Sequence, residues 1–152
     1  MQNEDKVRVI FVCTGNACRS QMAEGWARYY FGDSIEAFSA GVAPGGIDRR
    51  AIQVMAEEGV DISHAKSKDV SDFGGQSFDL AVTVCDHARE VCPVVPGAAM
   101  HYHRGFDDPP MFASGLPEER VLKEYRRIRD EIRNFVRGLP ELIEDLLSRN
   151  GE

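Results

Sequence analysis

Long apolar runs are missing from this sequence. The chain has 152 residues, and no stretch of it approaches the roughly 20 consecutive apolar residues of a membrane-spanning helix. Its first six residues, Met1 to Lys6, are polar and charged, unlike the apolar centre of a signal peptide. We therefore expect a cytoplasmic protein that does not bind membranes.

Positive charge is also scarce. The 18 Lys and Arg residues are outnumbered by 25 Asp and Glu residues, which gives a formal net charge of -7. Nucleic acids are bound by basic surfaces that displace counterions, so we expect no nucleic-acid partner. Any anion that this protein binds must be held by local geometry rather than by overall charge.

Cysteine is too sparse for a structural disulfide framework. Four residues separate Cys13 from Cys18 and six separate Cys85 from Cys92, which is not the paired spacing of a structural zinc site. Cytosolic cysteines that pair usually do so transiently, in catalysis or redox sensing. We expect no metal, and we discount His101 and His103 as ligands although they would share one face of a strand.

Short β-branched runs alternate with helical patterns along the chain. The length and the 43% hydrophobic content predict one domain over residues 1–152, with a core at about residues 6–148. The predicted strands are Val7–Val12, Ile35–Ala40, Asp79–Val84 and Ala98–His103. The predicted helices are Ser20–Phe31, Arg49–Glu58, a long helix with an apolar stripe from Val121 to Val136, and a short final helix that ends near Leu147. This order predicts an α/β fold, an open parallel four-stranded sheet flanked by helices, with ligands beyond the carboxyl ends of the strands.

The strongest motif lies between the first strand and the first helix. It is the anion loop, consisting of Cys13, Thr14, Gly15, Asn16, Ala17, Cys18, Arg19 and Ser20. Backbone N–H groups at such a position can surround an oxyanion that also faces the helix N-terminus. Gly15 and Asn16 are residue types that tolerate the left-handed backbone that this requires, and the planar Arg19 side chain can hold two oxygens of the anion.

The same loop predicts a nucleophile. Fixed dipoles and the Arg19 cation favour the thiolate form of Cys13, and the Ser20 hydroxyl could donate to its sulfur. The alternative, that Cys13 is an inert buried thiol, does not account for the Gly, Asn and Arg residues around it. We interpret Cys18 as a buried loop residue rather than a catalytic one.

This loop resembles that of the low-molecular-weight protein tyrosine phosphatase superfamily, whose members carry a catalytic Asp before Pro in a later loop. Asp108-Pro109 matches that second element. The resemblance implies that Asp108 is the general acid that protonates the leaving group, while Asp107 is left without a role. Pro110 and Met111 replace the tyrosine pair that is common there in phosphatases, which removes the aromatic wall expected for a phosphotyrosine ring.

Two further thiols, Cys85 and Cys92, follow the third strand at positions seven apart. In a helix, two residues seven positions apart are ~10.5 Å apart along the axis, whereas disulfide-linked Cα atoms lie within ~6.8 Å of each other. A bond between these thiols would require the segment to unwind, and Pro93 would help to keep it loosely held. We therefore predict a conformational redox switch.

With the downstream segment from His103 to Pro109, this spacing resembles the thioredoxin-coupled arsenate reductase branch of the superfamily across nearly the whole chain. The resemblance implies that Cys13 attacks arsenate, that Cys85 then attacks Cys13, and that Cys92 attacks Cys85. It also implies a thiol reductant such as thioredoxin. We expect no tightly bound cofactor, phosphate and sulfate as competing anions, and a monomer. Arg104 departs from the branch, because Trp is frequent there, and so does Pro110, where a small residue is usual.

Two other functions remain open. In a phosphatase of the same fold, Cys85 and Cys92 would be incidental and water would hydrolyse a phosphocysteine intermediate. In a noncatalytic thiol sensor, the same two cysteines would switch a partner without any need for the anion loop. Glu24, Ser67 and Asp69 lie where some reductases of this branch bind a monovalent cation, but we interpret them as solvated surface residues.

Overall fold

Four parallel strands form the centre of the protein. The computed structural model describes residues 6–86, 94–113 and 115–150. Its sheet has the strand order β2-β1-β3-β4. The strands are β1 (Val7–Cys13), β2 (Ile35–Gly41), β3 (Phe78–Thr83) and β4 (Ala98–His103), and every neighbouring pair is parallel. The predicted open parallel sheet is confirmed, and each strand end lies within one residue of its predicted position.

Five helices accompany the sheet in the described residues: α1 (Arg19–Phe31), α2 (Arg49–Glu57), α3 (Pro109–Ala113), α4 (Glu118–Arg137) and α5 (Leu139–Asn150). A 3-10 helix covers Val70–Phe73. The sequence did not predict α3 or the 3-10 helix, because elements of this length contain too little hydrophobic periodicity to recognise. The final helix ends at Asn150, beyond the predicted end near Leu147.

The two faces of the sheet are covered differently. Val9 and Phe11 of β1 pack in a large cluster with α1, α2, α4 and α5, whereas Ile10 and Val12 pack in a smaller cluster with Phe78 and its neighbours. These four β1 side chains are fully buried, as expected for a central parallel strand. Among the described residues, the 3-10 helix contributes to the cover of the second face.

Helix α4 buries the predicted apolar stripe. Val121, Tyr125, Ile128, Ile132 and Val136 are all buried, and Phe135 is partly buried against the same core. The helix ends at Gly138, as the sequence predicts. None of the helices in the described part of the chain is long and apolar enough to cross a membrane.

Backbone hydrogen bonds bring the carboxyl ends of the central strands together. The Val84 amide donates to the Val12 carbonyl over 2.9 Å, and the Phe106 amide donates to the Val84 carbonyl over 3.2 Å. The segment after β4 therefore continues alongside the end of β3. This arrangement brings the residues that follow β1, β3 and β4 to one edge of the sheet.

Candidate active site

Cys13 is the last residue of β1 and only 2% exposed. Its sulfur lies 3.0 Å from the hydroxyl oxygen of Ser20, in the first turn of α1. The Asn16 side-chain amide donates to the same hydroxyl oxygen over 2.8 Å. Since that bond uses a lone pair of Ser20, the hydroxyl proton remains available to a Cys13 thiolate.

The carbonyl groups of the anion loop are held from outside. The Thr14, Gly15 and Ala17 carbonyls accept from the amides of Ala43, Gly45 and Asp48 at 2.9, 3.2 and 3.0 Å. In a planar trans peptide the N–H points away from the C=O, so the N–H groups of the next residues face the opposite side. The N–H groups of Gly15, Asn16 and Cys18 therefore point away from the segment that holds the carbonyls, as a peptide oxyanion site requires.

Asn16 holds the turn of the loop. It is fully buried and has φ = 48°, the left-handed conformation that the sequence predicts for it. Its side-chain oxygen accepts from the Lys68 amide over 2.7 Å and from the Gln21 side chain over 3.0 Å. Gly15, the other residue of the loop that tolerates this conformation, is not among the glycines with positive φ. The left-handed conformation of Asn16 alone turns the chain at this point.

Gly41, the last residue of β2, touches the back of the loop. A Cβ atom at this position would lie 2.5 Å from the Thr14 oxygen, 2.8 Å from the Cys13 oxygen and 2.9 Å from the Asn16 nitrogen. All three atoms belong to the backbone and cannot turn away as a side chain would. A single glycine at the end of a predicted strand gives no local signal of such a contact, so the sequence alone does not predict it.

Arg19 is the first residue of α1 and is 4% exposed. Its Nη1 donates to the Phe106 carbonyl over 3.1 Å, and its Nη2 lies 3.8 Å from Oδ1 of Asp108. The predicted cation and the predicted acid are therefore neighbours. Both line a cavity of about 190 Å³ with Cys13, Gly15, Ala17, Cys18, Asp48 and Pro110.

Asp48 is the residue of this cavity that the sequence analysis did not identify. It is the N-cap of α2, where its Oδ1 accepts from the Arg50 amide over 2.8 Å. Its Oδ2 accepts from the Tyr125 hydroxyl over 2.6 Å. An Asp directly before a helical pattern is an N-cap signal, but nothing local indicates that this cap faces the anion loop.

Cys18 is buried, as predicted, and also contributes to the cavity wall. Burial, followed by the nearby Asp48 carboxylate, raises the pKa of the Cys18 thiol well above its ordinary value. The two cysteines of the loop therefore differ in environment, because only Cys13 has the Ser20 hydroxyl beside its sulfur.

Cys85 is fully buried beyond the end of β3. Its sulfur lies 3.8 Å from the carbonyl oxygen of Val12, the residue before Cys13. Cys85 is disulfide-bonded, whereas Cys13 and Cys18 are free thiols. Cys92, Pro93 and most of the predicted switch segment lie outside the described residues.

Several residues for which the sequence predicts no specific role form hydrogen bonds or ion pairs in the structure. Asp107 pairs with Arg127 of α4 at 3.1 Å, which fixes the chain next to Asp108. Glu24 was wrongly interpreted as a solvated residue, because it accepts from Ser39 and pairs with Arg28 at 2.7 Å. Ser67 is likewise not merely solvated, since its hydroxyl donates to the Asn16 carbonyl over 2.9 Å.

No cluster of His, Cys, Asp and Glu suited to a metal ion occurs in the described residues. Asp69 caps the 3-10 helix by accepting from the Ser71 amide. His101 and His103 are exposed, and the ring of His103 is hydrogen-bonded to Thr83 at 2.7 Å. Each of these three residues thus lies outside any recognisable metal cluster.

Residues 8–148 match the model of the family described as low molecular weight phosphotyrosine protein phosphatase. The chain belongs to this family. The matched residues include the anion loop with Cys13 and Arg19. The family resemblance expected from the sequence is thereby confirmed.

Within the family, this chain is similar to arsenate reductases. It is 43% identical to one from Halalkalibacterium halodurans over 90% of this chain and 97% of the relative. A solved structure of an arsenate reductase in the phosphate binding state aligns with a TM-score of 0.74 at 28% identity, over 90% and 98% of the two chains. A thioredoxin-dependent arsenate reductase from Corynebacterium glutamicum aligns with a TM-score of 0.67 at 28% identity, over 94% of this chain and 64% of that one.

Proposed function

We propose that this protein reduces arsenate to arsenite, with Cys13 as nucleophile and an external dithiol of the thioredoxin type as electron donor. The observation that carries the proposal is the second cysteine beside the anion loop. The sulfur of Cys85 lies 3.8 Å from the carbonyl oxygen of the residue before Cys13. A phosphatase needs only the loop thiol. Reduction of arsenate also needs a second thiol, which attacks the sulfur of the loop thiol and forms a disulfide with it.

In the first step, the Cys13 thiolate attacks arsenic(V) held in the anion loop. A sulfur–arsenic bond forms and one arsenic–oxygen bond breaks. Asp108 gives its proton to the departing oxygen, which leaves as water. The peptide N–H groups and Arg19 stabilise the remaining oxygens, and the Ser20 hydroxyl, 3.0 Å from the sulfur, stabilises the thiolate before attack.

In the second step, the Cys85 thiolate attacks the sulfur of Cys13. A sulfur–sulfur bond forms, and the electron pair of the sulfur–arsenic bond moves to arsenic, which leaves as arsenite. Cys92 then attacks Cys85, which frees Cys13 and transfers the disulfide to the second pair of cysteines. A state in which Cys85 is disulfide-bonded and Cys13 is free supports this order.

The proposed chemistry indicates which electron donor and which cellular compartment to expect. Each turnover leaves one disulfide, so a dithiol must reduce it before the next, and the cytoplasm keeps such dithiols reduced. The similarity to a thioredoxin-dependent arsenate reductase supports thioredoxin as that donor. We infer that phosphate and sulfate compete with arsenate for the anion loop.

The Cys85→Ser variant separates this proposal from a phosphatase. We expect wild type to release arsenite continuously with thioredoxin, thioredoxin reductase and NADPH, and Cys85→Ser to lose that turnover by at least about a hundredfold. Any slow hydrolysis of an aryl phosphate should survive in Cys85→Ser and vanish in Cys13→Ser. Hydrolysis that needs only Cys13, with arsenate ignored by wild type, would refute the proposal and establish a phosphatase.

A further inference from the structure

The cavity above the anion loop contains a carboxylate that the proposed reaction does not use. Asp48 lines this cavity with Cys13, Arg19 and Asp108. The nucleophile is Cys13 and the proton donor is Asp108, so no step in the transfer of arsenic requires Asp48. A carboxylate in the wall of an anion site is nevertheless costly unless it interacts favourably with the anion.

The hydrogen bonds of Asp48 make it an acceptor at both oxygens. The Arg50 amide donates to Oδ1 over 2.8 Å, and the Tyr125 hydroxyl donates to Oδ2 over 2.6 Å. Tyr125 is only 1% exposed, so this second donor is fixed in the core. Each carboxylate oxygen has two lone-pair positions, which leaves capacity for a further donor from the cavity.

The charges around the cavity favour an oxyanion with a protonated oxygen. Among its described lining residues, Arg19 supplies a guanidinium, while Asp48 and Asp108 supply two carboxyl groups. Arg19 lies 3.8 Å from Asp108, so the cation is already shared with the proposed acid. Within a cavity of about 190 Å³, the repulsion between a bound oxyanion and Asp48 is only partly screened by solvent. An O–H on the oxyanion would turn that repulsion into a charge-assisted hydrogen bond.

We propose that Asp48 is a specificity-determining residue that accepts a hydrogen bond from a protonated oxygen of the bound oxyanion. Arsenate and phosphate keep a proton at neutral pH, whereas sulfate does not. The cavity therefore selects tetrahedral oxyanions that carry a proton, and sulfate competes more weakly than phosphate. This inference rests on the proposed function for the identity of the substrate, but it concerns binding alone.

Calorimetric titration of the reduced, full-length chain with inorganic phosphate and with sulfate tests the role of Asp48. We expect wild type to bind phosphate at least about tenfold more tightly than sulfate, the scale of one hydrogen bond to a charged group. Asp48→Asn should reduce this preference by roughly tenfold, since its amide can donate to an unprotonated oxygen. Asn caps helices about as well as Asp, so α2 should remain folded.

Glu118→Gln is the matched control. Glu118 pairs with Arg50 at 2.8 Å, and the Arg50 amide donates to Asp48. Glu118 itself does not line the cavity. Its neutralisation should leave the preference for phosphate unchanged, which separates a specific contact from a general change in charge.

Equal affinity of wild type for phosphate and sulfate would overturn the inference, and this result needs no variant. An unchanged preference in a folded Asp48→Asn protein would also overturn it. The titration does not depend on arsenate turnover. A protein with the expected preference but no arsenate reduction would therefore contradict the proposed function while supporting the role of Asp48.

Discussion

At the scale of single residues, two cysteines of one loop have different surroundings. Cys13 has the Ser20 hydroxyl 3.0 Å from its sulfur, whereas burial and the Asp48 carboxylate raise the pKa of Cys18. Raising a thiol pKa lowers the thiolate fraction at every pH below it, and the thiolate is the reactive form. Cys18 should therefore stay chemically silent while Cys13 reacts.

Alkylation measures this difference directly. We expect iodoacetamide to modify Cys13 in the folded protein, with protection by phosphate, and to leave Cys18 unmodified from about pH 7 to about pH 9. Peptide mass mapping of samples taken over time gives the rate at each position. Modification of Cys18 at a rate similar to that of Cys13 at neutral pH would contradict this account of the loop.

The residues around Asn16 show where local sequence is informative and where it is not. Asn is a residue type that tolerates positive φ, so its conformation could be predicted from the loop alone. Its partners could not, because the Lys68 amide and the Ser67 hydroxyl approach from more than 50 residues away. The position of Asp48 in the site could not be predicted either, because its contacts with Ala17 and Tyr125 exist only in the folded chain.

At the scale of elements, the end of β2 supports the anion loop. A side chain at Gly41 would clash with three backbone atoms of the loop, the nearest at 2.5 Å. We predict that Gly41→Ala abolishes detectable phosphate binding and lowers the free energy of unfolding by about 1–3 kcal/mol, the usual cost of overpacking. Calorimetry and urea denaturation measure the two effects.

Gly45→Ala is the control for that substitution. Gly45 lies in the same connection between β2 and α2, but a Cβ atom there would have nothing within 4 Å. Its free energy of unfolding should change by less than about 0.5 kcal/mol, as for ordinary surface substitutions. If Gly41→Ala bound phosphate as well as Gly45→Ala does, the packing of β2 against the loop would not matter.

The long elements were predictable from sequence, and the short ones were not. Strand β1 is a continuous apolar run, and α4 has an apolar stripe over 20 residues, so both patterns are strong. Helix α3 has only five residues, and it follows Asp108 in a stretch that reads as a loop. Its Pro109 and Pro110 stand at the first helical positions, where the missing N–H groups cost nothing.

At the scale of the whole molecule, parallel topology accounts for the assembly of the site. The four strands point the same way, so Cys13 at the end of β1, Cys85 after β3 and Asp108 after β4 all lie at one edge of the sheet. The order of elements in the sequence is sufficient to predict this juxtaposition. The distances within the site depend on tertiary hydrogen bonds, such as Val84 to Val12, that no local pattern specifies.

The negative net charge of the molecule makes the short-range contacts of the anion site more important for binding. A chain with a formal net charge of -7 repels anions at long range, so we expect an oxyanion to depend on short-range contacts, those of the loop N–H groups and Arg19 above all. Arg19 is 4% exposed, which reduces the screening of its charge by salt. Both parts of the site must therefore be in place before any thiol chemistry can begin.

A single-turnover reaction of the Cys92→Ser variant with arsenate tests the relay most directly. With no reductant present, we predict about one arsenite released per chain and then no further reaction, because no thiol remains to resolve the product. Peptide mass mapping should find Cys13 joined to Cys85 in a disulfide. Absence of arsenite, or a disulfide that does not contain Cys85, would contradict the proposed mechanism.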